Sequence, residues 1–162
     1  MSIITSSKAR IAALAAVALA TGSVGTLLLS EPAEAIPTPQ RSCADDRRTK
    51  NGGQDWSGVN SAVTIDNGKV ARKVVVNLSI DADVDPRAQI VLGWKVDTGP
   101  IKRVGAHYLV NSSPVTQTRH VMVVLDVPGG KHRIQPFWRV RGEANTVGNM
   151  GARCLTAEAY TS

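Results

Sequence analysis

Aromatic side chains are scarce in this chain: three Trp, two Tyr and one Phe make up 4% of its 162 residues. It holds three His and two Cys. There is no H-E-x-x-H, no H-x-H and no C-x-x-C, so the spacings of the common zinc sites are absent. A G-x-S-x-G elbow is also missing, and the Ser residues fall in loops or on strand exteriors, which removes the recognisable serine-hydrolase arrangement. Beyond residue 35 no helical stripe of useful length occurs, and no internal repeat or low-complexity segment is present.

The first 35 residues read as an export signal. Lys8 and Arg10 give a positive start, and residues 11–29 form an uncharged Ala- and Leu-rich run. Ala33-Glu34-Ala35 then presents small residues where signal peptidase reads, which predicts a cut before Ile36. Retention as an anchor is the alternative, but Gly22, Ser23 and Gly25 interrupt a run barely long enough to span a bilayer. Residues 36–162 are therefore expected to work outside the cell as one domain.

That expected mature chain keeps the full net charge of +6, because the leader carries two cations and two anions. A basic exported protein is drawn to anionic polymers, although the same charge also serves solubility. Outside the cytoplasm the even pair Cys43 and Cys154 reads as a disulfide tying the two ends of the domain together, with two free thiols as the alternative.

Residues 36–61 are low in apolar content and rich in Pro, Gly, Asn, Ser and charge, so they are expected to form an irregular arm. Over 62–162 the apolar period is two. Residues 62–66 form a short strand, and Asn67-Gly68 predicts a type I′ hairpin. Val74, Val76, Leu78 and Ile80 share one face of the next strand. Residues 81–87 read as an acidic loop.

Ile90, Leu92, Trp94 and Val96 mark a strand, as do Val104, Ala106, Tyr108 and Val110. Val121, Val123, Leu125 and Val127 alternate up to Pro128-Gly129-Gly130, and Ile134, Pro136, Trp138 and Val140 return. A flush register predicts these two runs as a hairpin: Asp126 meets Lys131 and His120 meets Phe137. Pro136 would then mark an edge or a bulge. Residues 146–150 and 153–159 form the last two strands. About eight short strands with turns every ~8–12 residues predict an all-β antiparallel sandwich.

The run from Val127 to Arg139, then Gly142 and Arg153-Cys154-Leu155-Thr156-Ala157-Glu158, resembles the closing hairpin and last strand of small secreted actinobacterial β-sandwich proteins. These are loosely similar to jelly rolls of the C1q and tumour-necrosis-factor type. The resemblance implies a jelly-roll-like fold and brings no catalytic residue. Jelly rolls of that type usually form trimers, but nothing in these residues fixes an oligomer.

Two residue groups point to chemistry. Asp81, Asp83 and Asp85 place carboxylates at alternate positions, a set of hard oxygens suited to calcium, or else a solvated acidic turn. Pro86 and Leu92 stand where an EF-hand needs Gly and Glu. Phe137 lies out of phase with the inward residues and is expected on the surface beside Arg139 and His120, with Trp56 a further aromatic candidate. Sugar C–H faces stack on exposed rings, so the leading expectation is a secreted, non-enzymatic domain that binds a cell-surface polymer or polysaccharide. A secreted inhibitor or protein-interaction module and a hydrolase with an unrecognised site are the alternatives.

Overall fold

The computed structural model describes residues 36–103 and 108–160. The export segment and the Val104 and Ala106 positions lie outside the described residues. Ten strands run β1 (Gln40–Ala44), β2 (Arg48–Asn51), β3 (Ser57–Gly58), β4 (Val63–Asp66), β5 (Arg72–Val84), β6 (Gln89–Val96), β7 (Tyr108–Asn111), β8 (Gln117–Val127), β9 (Lys131–Arg141) and β10 (Val147–Tyr160). Among the described residues no helix is long and apolar enough to cross a membrane.

The strands form two antiparallel sheets. One has the order β1-β10-β5-β8, with β2 also on β10. The other has the order β3-β9-β6-β7, with β4 also on β9. If β1 with β2 and β3 with β4 each count as one interrupted strand, eight strands remain, and the chain changes sheet at nearly every turn. That strand order is a jelly roll.

The core lies between the inner faces and includes Val74, Val76, Leu78 and Ile80 of β5, Ile90 and Trp94 of β6, Ile134 and Trp138 of β9, and Leu155 of β10. The period-two pattern fixes these positions, because a one-residue slip would turn every apolar side chain to water.

The sequence reading errs where a turn carries the chain from one sheet to the other. β8 and β9 are not a hairpin: β8 pairs β5, and β9 pairs β6, β3 and β4. Asp126 therefore binds Lys73 at 2.9 Å, while Lys131 stands opposite Asp66. Two strands with the same alternation can meet side by side or face each other across a core, and pattern alone does not separate the two.

Asn67-Gly68 likewise links β4 to β5 across the sandwich. Only Gly68 has positive φ, at 60°. Asn67 is buried, and its amide donates to the carbonyls of Val127 (3.2 Å) and Pro128 (3.0 Å), stitching the two crossing turns together.

Other boundaries shift for local reasons. β5 continues through Asp81 and Asp83, because Ala82 and Val84 keep facing the core, so residues 81–84 of the expected acidic loop are strand and residues 85–87 are the turn. Pro136 is on an interior strand, at the place where the neighbour of β9 breaks between β3 and β4. The last two expected strands are one, β10, with a register shift between Met150 and Arg153. β6 and β7 shift too: Ile90 pairs Val110 and Val91 pairs Tyr108, so Leu109 is the extra residue.

The arm of residues 36–61 carries β1, β2 and β3 rather than irregular chain. Backbone pairing to β10 and β9 makes these strands without needing apolar side chains.

Candidate functional site

The outer face of the second sheet gathers the aromatic and basic residues. Along β9 the outward positions are Arg133, Gln135, Phe137, Arg139 and Arg141; along β6 they are Gln89, Val91, Gly93 and Lys95. These two sets contain four cations and no carboxylate. Successive outward residues on a strand stand about 6.8 Å apart, so β9 carries its cations as a stripe with Phe137 in the middle.

Phe137 is half-buried and stands in one row between two glycines, paired with Gly58 on β3 and Gly93 on β6. Gly93 is needed for what covers it, whereas at Gly58 only the end of the flexible Gln135 side chain comes close. A Cβ on Gly58 would lie 2.9 Å from Gln135 Nε2. A Cβ on Gly93 would lie 2.6 Å from Ile101 Cγ2 and 3.0 Å from the Trp56 ring. The Trp56 ring therefore lies over Gly93, in the row of Phe137. A glycine inside a strand marks such close approach, and this was the available sequence clue to the ring's seat.

The cations lean on these rings. The Arg139 guanidinium carbon lies 4.7 Å from the centre of the Trp56 ring, and Lys95 Nζ lies 5.8 Å from that of Phe137. Both are within cation–π range. Arg139 Nη1 also donates to Gln54 Oε1 at 2.9 Å, so the arm and β9 hold one another. The structure thus places Phe137, Arg139 and Trp56 on one face of the sheet.

His120 is not part of this group. It is exposed on β8 of the opposite sheet, in register with Ser79, because β8 and β9 do not pair. Nor do the acidic residues converge as calcium ligation would require. Asp81 accepts a hydrogen bond from Thr118 (2.6 Å), Asp83 from Thr116 (3.0 Å) and Asn149 (2.7 Å), and Asp85 from the Val147 amide (2.6 Å). They are spread along a strand and a turn with protein donors on each. Among the described residues no group of three or more His, Cys, Asp or Glu is placed to hold a metal.

Three features beside the surface shape the domain. Cys43 and Cys154 form a disulfide between directly opposed residues of β1 and β10. Arg153 is 2% exposed; it donates to the Val59 carbonyl, to the Asp46 carbonyl (2.7 Å) and to the Gly151 carbonyl (2.8 Å), and pairs with the Asp46 carboxylate. Sequence reasoning missed this buried cation, which sits at the register shift of β10 where alternation gives no guidance.

His132 places Nδ1 2.6 Å from Asp97 Oδ2 and Nε2 3.0 Å from the Gly129 carbonyl. Both neighbours are acceptors, an arrangement that favours the doubly protonated imidazolium over either neutral tautomer. The Asp97 bond, then the Gly129 carbonyl, raise the His132 pKa above 6.5. The His132 bond, then the Arg133 amide, lower that of Asp97 below 3.8.

No protein-family model matches the chain, and no curated protein matches it. Among solved structures it is similar to the Eiger TNF of S. frugiperda, with 8% identity, coverage of 79% of this chain and 95% of that chain, and a TM-score of 0.46. The strand order, rather than this likeness, makes the chain a jelly roll.

Proposed function

We propose that the chain is an exported, non-enzymatic domain that binds a cell-surface polymer or polysaccharide through the outer face of the β3-β9-β6-β7 sheet. One observation carries the reading: Phe137 stands between two glycines, with the Trp56–Arg139 stack and Lys95 around it. An accessible ring offers a stacking surface for sugar C–H groups, and the cations supply attraction to acidic groups on the polymer. The formed disulfide supports export, since such bonds persist in oxidising compartments.

The test is a pull-down of the oxidised protein with bacterial cell walls and with insoluble polysaccharides, at low and at high salt. Salt-resistant retention on one polymer is the expected result. Retention that vanishes with salt would reduce the behaviour to a +6 protein adhering to anionic material and would overturn the proposal.

A further inference from the structure

The disulfide lies on the solvent side of its sheet. Cys43 is exposed and Cys154 is half-buried. Cys154 lines a surface cleft of about 330 Å³ together with Arg41, Asn77, Ser79, His120 and Thr156. The two cysteines are directly opposed, with Cα atoms 4.1 Å apart, and the bond fastens the outermost strand β1 to β10. Arg41 faces both sulfurs: its Nε donates to Cys43 Sγ at 3.2 Å and its Nη2 to Cys154 Sγ at 3.5 Å.

A structural disulfide is ordinarily protected by burial. This one joins an exposed residue to a half-buried one, with a cation donating to both sulfurs. A guanidinium next to sulfur favours the thiolate over the thiol, and thiol–disulfide exchange runs faster when the leaving thiolate is stabilised.

We propose that the Cys43–Cys154 bond is a site of thiol–disulfide exchange in the folded protein, open to a dithiol reductant, with Arg41 as the positioning residue for the leaving sulfur. The reductant's thiolate attacks Sγ of the exposed Cys43. The Cys43–Cys154 bond breaks, and its electron pair leaves on Cys154 Sγ, facing Arg41 Nη2. The second thiolate of the reductant then attacks its own sulfur in the mixed disulfide and expels Cys43 as thiolate. The two cysteines take up the two protons the dithiol lost. The dithiol is oxidised to a disulfide, and the protein's disulfide is reduced to two thiols. This releases the covalent hold on β1 while β10 keeps its pairing with β5.

The experiment exposes the oxidised protein to excess dithiothreitol without denaturant, traps free thiols with a maleimide and reads the initial rate by mass. The expected result is a rate that rises linearly with dithiothreitol while the far-ultraviolet circular dichroism of the sheet persists. Arg41→Gln is expected to slow it by roughly tenfold, and Arg41→Lys to restore part of the rate. Arg41 is exposed, so neither change disturbs the core. Thiols that appear only under unfolding conditions would overturn the proposal, and so would wild-type reactivity in Arg41→Gln.

Discussion

Arg139 and Trp56, 83 residues apart in the chain, form a cation–π stack 4.7 Å deep on the outer face of the β9 sheet. The pair joins the arm to the sandwich, and Arg139 adds a second tie through Gln54. Arg139→Gln is expected to leave the fold intact and to destabilise it by about 0.5–2 kcal/mol, the range for such stacks. Loosened from its cover, Trp56 should become easier to quench with acrylamide. Unchanged quenching would mean that the stack does not hold the ring.

The Asp97–His132 pair sets a pH dependence. The His132 pKa is raised, so its contribution is fully present below 6.5 and is lost as pH rises through the raised value. The Asp97 pKa is lowered, so its contribution is present above 3.8 and is lost as pH falls through the lowered value. Thermal stability should therefore decline as pH rises above 6.5 through the raised His132 pKa, and His132→Gln should flatten that slope. Parallel melting curves for the two proteins across that rise in pH would contradict the assignment.

Arg153 is the buried cation of the domain's N-terminal tie. Its removal leaves the Val59, Asp46 and Gly151 carbonyls without their donor and breaks the pair with Asp46. Arg153→Ala is expected to cost about 1–3 kcal/mol, the range for leaving buried hydrogen-bonding groups without a partner. Urea denaturation of the variant against wild type measures it, and a loss under about 1 kcal/mol would place the cation among ordinary surface pairs.

The disulfide closes a loop with a sequence separation of 111 residues. In the chain-entropy model such a cross-link stabilises by about 4–5 kcal/mol. The double variant Cys43→Ser with Cys154→Ser should lower the urea midpoint accordingly, without altering the far-ultraviolet spectrum at low temperature. An unchanged midpoint would show that backbone pairing of β1 already closes the loop in the unfolded ensemble.

Fold class was legible because Val74, Val76, Leu78 and Ile80 alternate so cleanly that their face could be read directly, and Trp94 and Trp138 fall in phase with the apolar residues of their strands. The Cys43–Cys154 pairing followed from there being one pair. Sheet membership was not legible. The Val127–Lys131 turn looks the same whether it joins neighbours in one sheet or carries the chain across the core, so His120 was set beside Phe137 when it lies on the other sheet. Arg153 and β1 were hidden because a shifted register and a polar edge strand both suppress the apolar pattern.

The most direct test of the binding surface is salt-resistant retention on the selected polymer by Phe137→Ala compared with His120→Ala, both shown to melt as folded domains. Retention should fall by roughly twofold to tenfold for Phe137→Ala, since ring stacking is worth on the order of 0.5–1.5 kcal/mol. It should stay at the wild-type level for His120→Ala, on the opposite sheet. Equal retention by both variants and wild type would contradict the account and remove the β9 face as the site.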